Sequence, residues 1–152
     1  MLQELLKDKR RLLMIIGCVV LLIIVRAYED VLFYDPLLNF FKSDFSNRQL
    51  PQLDSLKLLL STAARYFTNT ILSLLIIHLL FVRKSLTKFA AYLYLLLFIL
   101  LIITFFIVLN CLPEQKTTIF YLRRFLIQPL FLLLFVPAFY FQEVSSEKNN
   151  VS

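Results

Sequence analysis

The sequence predicts an all-α integral membrane protein: a four-helix bundle with both termini in the cytoplasm and an interfacial segment between the first and second helices. Three observations lead there. Long apolar runs recur along the whole chain, which is 60% hydrophobic with a mean hydropathy of +0.79. Charged residues make up only 17%, against about a quarter in water-soluble domains. The cations gather at the ends of the apolar runs, where they orient membrane helices. The net charge of +6 is therefore not a nucleic-acid signal. No stretch outside the apolar runs is long enough to bury a core, so a single membrane domain over residues 1–142 is expected.

The chain opens on a basic arm with Lys7, Lys9, Arg10 and Arg11, followed by 14 uninterrupted apolar residues, Leu12 to Val25. A basic arm before a short apolar run also describes a signal peptide, but the run leads into Arg26-Ala27-Tyr28-Glu29 with no small-x-small cleavage site. An uncleaved first span over about residues 10–28 is preferred, with Arg10 and Arg11 snorkelling inward and Arg26 outward.

Residues 29–54 are acid-rich, with Glu29, Asp30, Asp35, Asp44 and Asp54 against Lys42 and Arg48. Within them VLFYDPLLNFF, residues 31–41, is aromatic but broken by Asp35-Pro36. It reads either as a segment lying in the interface or as a loop packing its aromatics on the helix tops.

The second span, residues 56–82, carries Thr62, Arg65, Asn69 and Ser73 at spacings of three, four and four. That spacing places them on one helical face, and a polar stripe on a membrane helix should face protein or water. Arg83, Lys84 and Lys88 form a basic loop before the third span, residues 89–110, which is almost wholly apolar. A short turn with Pro113 and Lys116 leads into the fourth, residues 118–141. That span holds Arg123, Arg124 and Gln128, with kinks expected at Pro129 and Pro137, because proline removes a backbone donor. The remainder, residues 143–152, reads as a disordered cytoplasmic tail.

Loop charges set both termini and the Arg83–Lys88 loop inside. Arg26, Arg65, Arg123 and Arg124 then fall in one layer, about 5 to 12 Å below the outer headgroups. A cation at that depth is costly unless compensated. Glu29 and Asp30 follow Arg26 by three and four residues and are its expected partners, and Asp35 is a further one. One positive charge of the layer stays over, to be met by a phosphate, an anionic ligand or a partner's carboxylate. On the fourth span Tyr121, Arg124 and Gln128 share a face; Arg123 points about 100° away and is the one expected to snorkel.

Catalytic constellations are not evident. Cys18 and His78 fall at different depths with no orienting third group, Cys111 stands alone, and no metal or phosphate-loop motif is present. No catalytic residue, metal or cofactor is expected. Arg26, Arg65, Asn69, Arg123, Arg124 and Gln128 are the candidate partner- or anion-binding residues, with Glu29, Asp30 and Asp35 as charge partners.

RAYEDVLFYDPLLNFFKSDF (Arg26 to Phe45), RYFTNTILSLLIIHLLF (Arg65 to Phe81) and RRFLIQPLFLLLFVPAFYFQ (Arg123 to Gln142) resemble the small membrane proteins associated with exosortase F in Bacteroidetes. The resemblance implies a multi-pass protein of the bacterial inner membrane that works beside an exosortase-like protein in protein sorting. Exosortases use a Cys, an Arg and a His near the outer side; Cys18 and His78 lie at the wrong depths for that set. The resemblance thus implies a non-catalytic accessory protein, and the polarity of helices two and four makes their polar faces the expected contact with a membrane partner. The alternative is an anionic lipid or lipid-linked ligand held by the arginine layer. The sequence leaves the oligomeric state open.

Overall fold

The computed structural model describes residues 8–42, 49–128 and 130–149, and these are mostly helical, with no strand among them. The helices are α1 (Lys9–Ala27), α2 (Glu29–Leu32), α3 (Pro36–Lys42), α4 (Ser55–Phe81), α5 (Lys84–Cys111), α6 (Lys116–Ile127) and α7 (Leu130–Asn149). Two of them, α4 and α5, are long and apolar enough to cross a membrane; α6 and α7, bent by 60° at their junction, make a third crossing if taken as one broken span. The apolar stretch of α1 is shorter, 14 residues between Arg10-Arg11 and Arg26.

The core lies where α4, α5, α6 and α7 meet. Tyr66 and Ile77 of α4, Tyr94 and Phe105 of α5, Ile119 and Leu126 of α6 and Phe131 and Phe139 of α7 are all buried in it. An aromatic ladder docks α7: Phe131, Phe135 and Phe139 stack at successive i, i+4 positions, with Tyr94 edge-on to the first two and Phe81 and Phe89 edge-on to the last. By contrast, α1 buries no residue of its own. It packs along α4 and is tied at its start by Arg11, whose Nε donates to the Leu79 carbonyl and whose Nη2 donates to the Leu80 carbonyl at 2.7 Å. The last carbonyls of a helix have no intrahelical donor, and Arg11 supplies one from a neighbour. The sequence marked Arg11 only as a snorkelling cation.

Residues 29–42 are two short helices hinged at Phe33, which is extended. Pro36 opens α3, since its fixed φ suits the first helical turn. Leu37 and Phe40 join the core, and Phe41 meets Phe120 of α6 edge-on at 5.3 Å. Val31, Leu32 and Tyr34 of the same segment stay exposed.

Helix α7 runs through Pro137, which is exposed, and one expectation is corrected at its C-terminal side. The helix continues to Asn149, so most of the tail expected to be disordered from Glu143 onward is helical. Extending a formed helix adds a hydrogen bond for each residue fixed, without a new nucleation cost. Residues 150–152 and Pro129 lie outside the described residues.

Helix ends follow local chemistry. The Asp54 carboxylate caps α4 by accepting the Lys57 backbone N–H at 3.2 Å, which holds its pKa below the ordinary carboxylate value. The folded pKa being the lower one, this stabilisation is present above the ordinary value and fades as pH falls through the lowered one. The α4–α5 turn is less well matched. Val82 ends α4 at φ 52°, the left-handed region that a branched side chain resists and that helix ends usually give to glycine. Val82 is exposed, so little packing depends on its side chain. Val82→Gly is expected to stabilise the hairpin by up to about 1 kcal/mol. A melting curve in detergent should shift upward by about 2–4 °C. A fall would mean that the valine side chain does more for the turn than its conformation costs.

Candidate functional site

The site begins with α4, whose Thr62, Arg65, Asn69 and Ser73 face is wholly buried within the bundle. Arg65 is only 2% exposed and is the largest fully buried side chain. Its Nη2 meets Glu29 Oε2, its Nη1 lies 3.4 Å from Asp35 Oδ2, and its guanidinium stands 5.6 Å over the Phe33 ring. Arg123 of α6 grips the same Asp35 from the other side, with Nε 3.2 and 3.0 Å from the two carboxylate oxygens and Nη2 2.6 Å from Oδ2. Arg26 closes the row at α1, with Nη1 2.5 Å from Glu29 Oε2. The result is a line of alternating charge, Arg26–Glu29–Arg65–Asp35–Arg123, tying α1, α2, α4 and α6 through the 33–35 hinge.

Local sequence explains how the acids reach these cations. The helix interrupts at Tyr28, so Glu29 opens a new turn three residues beyond Arg26. The residue before a proline is pushed out of helical geometry, so Asp35 cannot continue α2 and turns back into the bundle. The four charges most withdrawn from solvent, Glu29, Arg65, Asp35 and Arg123, have side chains 2–9% exposed and cancel in pairs. Arginine suits the arrangement, because its planar fork serves more than one oxygen and keeps its charge.

The α6–α7 junction adds a second polar contact. Gln128 takes an extended conformation ahead of Pro129, which ends α6 at Ile127. The Ile127 carbonyl accepts from Asn69 Nδ2 of α4 at 2.9 Å, so the break is supported from the buried stripe. Gln128 itself accepts from Arg124 Nε through its Oε1 at 3.1 Å.

Three placements differ from the sequence reading. Arg123, expected to snorkel, is 7% exposed, and Arg124 is the exposed one. The buried face of α6 is Ile119, Arg123 and Leu126, an i, i+4, i+7 row. Tyr121, Arg124 and Gln128 also have helical spacing, and charge alone does not choose between the two rows. Asp30 pairs with Lys42 at 3.5 Å and not with Arg26. Phe33, beneath Arg65, was not singled out at all, although it stands between the two acids that hold that arginine.

Elsewhere, Cys18 lies half-exposed on α1, and Cys111 is exposed at the end of α5. His78 Nδ1 is 3.2 Å from Thr87 Oγ1. Among the described residues no group of His, Cys, Asp or Glu is arranged to hold a metal ion. Compared with family models, curated proteins and solved structures, the chain matches none.

Removing one member of a buried ion pair strands its partner, at a cost of about 3–5 kcal/mol. Asp35 serves both Arg65 and Arg123, so Asp35→Ala should cost at least that much in detergent unfolding, and Asp35→Ala with Arg123→Met should recover part of it. Asn69→Leu should cost about 1–3 kcal/mol through the orphaned Ile127 carbonyl. Stability within a few tenths of a kcal/mol of wild type for Asp35→Ala would mean that the charges are not buried together.

Proposed function

We propose that this chain is a multi-pass protein of the bacterial inner membrane that acts without chemistry of its own, as an accessory subunit binding a membrane partner in an exosortase-like sorting system. In this reading it crosses four times, through α1, α4, α5 and the broken α6–α7 pair. The basic arm before α1 and the Arg83–Lys88 loop lie in the cytoplasm, and the ion-pair row lies toward the outer face. The apolar run of α1 is about 21 Å long as a helix, less than the roughly 30 Å hydrocarbon core. Its basic ends complete the crossing, because Arg11 and Arg26 are held by α4 and α2 and are not left in lipid.

The observation that carries the proposal is the polar face of α6 that the chain itself leaves open. Tyr121 is 52% exposed and Arg124 is exposed beside it, one helical turn apart. Tyrosine and arginine are the residues that most often anchor protein interfaces. The polar face of α4 serves a different purpose: its arginine and asparagine are consumed inside the bundle, where they hold the α6 face in place. The resemblance of residues 26–45, 65–81 and 123–142 to exosortase-F-associated proteins supports the setting, and it suggests an exosortase-like protein as the partner.

Co-expression of the tagged chain with an exosortase-like protein, followed by purification in mild detergent, tests the proposal. Near-equal recovery is expected for the wild type. Tyr121→Ala with Arg124→Leu should lower recovery by ~tenfold or more while leaving the melting temperature unchanged, since ~1.4 kcal/mol of lost contact is already tenfold. Unchanged recovery would exclude this face as the docking surface, and no recovery from the wild type would remove the accessory role.

A further inference from the structure

A second open feature lies beside the same polar end. Where α1 and α7 diverge, a groove of about 480 Å³ opens along the side of the molecule. Its walls are apolar: Val19, Leu22 and Ile23 from α1, and Leu132 and Leu133 from α7. Its polar end is formed by Arg26 and Gln128. From Val19 to Arg26 the groove follows α1 for about 10 Å. Its size falls within the roughly 300–1,000 Å³ typical of small-molecule sites.

The charges around this end do not cancel. Arg26 gives one nitrogen to Glu29, its side chain remains 49% exposed, and its Nε and Nη2 find no acceptor among the described residues. Arg124 is exposed, spends only its Nε on Gln128, and lies within electrostatic reach of Arg26. Arg26, Arg65, Arg123, Arg124 and Lys42 stand against Glu29, Asp30 and Asp35, an excess of two positive charges. With Oε1 of Gln128 taken by Arg124, its amide NH₂ is left to donate. The Arg26 guanidinium and the Gln128 amide at the head of an apolar groove, with Arg124 bonded to that same Gln128, match a molecule with an anionic head and a hydrocarbon tail.

We propose that this groove is a binding site for an anionic phospholipid of the outer leaflet, with its phosphate between Arg26 and Arg124, within reach of the Gln128 amide, and one acyl chain along α1 and α7. The site rests on the membrane orientation given above but not on the sorting partner. A lipid fits better than a protein helix. The leaflet brings a phosphate to this depth with its tail pointing down the groove, whereas a helix would have to bury a carboxylate there.

The test uses the full-length protein in nanodiscs containing equal phosphatidylglycerol and phosphatidylcholine, released for native mass spectrometry. One retained phosphatidylglycerol per chain is expected, preferred over phosphatidylcholine by ~tenfold or more. Arg26→Gln with Arg124→Gln should abolish the preference. Leu22→Trp, which fills the groove and keeps both cations, should reduce retention of the lipid. Soluble glycerol 3-phosphate at millimolar concentration should not displace it. Equal retention of the two lipids, or an unchanged preference in the double arginine variant, overturns the proposal. Displacement by glycerol 3-phosphate, or full retention by a folded Leu22→Trp protein, also overturns it in favour of a site for phosphate alone. Orientation is scored separately by labelling Cys111 with an impermeant maleimide in intact spheroplasts. Labelling supports an outer-leaflet site; protection of Cys111 overturns the outer-leaflet assignment even where the lipid preference holds.

Discussion

The structure depends on one constraint: arginines placed within a bundle of apolar helices must be neutralised by acids from outside those helices. Arg65 and Arg123 belong to α4 and α6, and both acids that meet them, Glu29 and Asp35, come from the short segment after α1. An isolated buried cation is too costly to keep, so the segment is drawn down onto the bundle and its apolar residues follow. Leu37 and Phe40 are thereby brought into the core, and Phe33 lies under the Arg65 guanidinium. The row of charge is a poor source of net stability by itself, since desolvation offsets much of its attraction. What it supplies is register: only one arrangement of α1, α4 and α6 gives every buried charge its partner.

The same logic accounts for α1. A helix with no buried side chain has little to hold it against one face of α4 in place of another, particularly where its surroundings are as apolar as itself. Its position is set at the two ends, by Arg11 on the last carbonyls of α4 and by Arg26 through Glu29 to Arg65. The clasps are about 22 Å apart along α1 and about 21 Å apart along α4, so they close only when the helices run antiparallel in one register. Between them α1 need not fit tightly, and it is along this stretch that the groove toward α7 opens.

Much of this was legible in the sequence, and what was not has identifiable causes. The apolar runs became helices at nearly the expected positions, because a long apolar stretch has few other ways to satisfy its backbone. The Thr62–Arg65–Asn69–Ser73 stripe was readable because its polar residues contrast with an apolar background at helical spacing. The choice between Arg123 and Arg124 was not readable from charge, since adjacent arginines each belong to a plausible row. The neighbours Ile119 and Leu126 carry the distinction, and their meaning depends on which face meets α4 and α5. The partner of Asp30 depended on how far the chain turns at Phe33, a tertiary matter. Val82 lay in a turn where glycine is usual, and nothing local foretold a branched residue in the left-handed region.

Burial also changes the meaning of polarity here. Read along the chain, six polar residues on the first, second and fourth spans invite the same explanation, a surface for something outside. Folded, they divide by the partners they find. Arg65, Asn69 and Arg123 spend their donors within the bundle and hold α6 at its break, so a ligand could reach them only by dismantling the core. Arg26, Arg124 and Gln128 lie at the edge of the same network, where internal acids no longer suffice and donors remain unspent. The buried half fixes the positions of the exposed half, as a rigid scaffold does for any binding surface. In the proposed reading, binding therefore falls to the arginines that the fold leaves incompletely paired, and the more deeply buried ones hold them still.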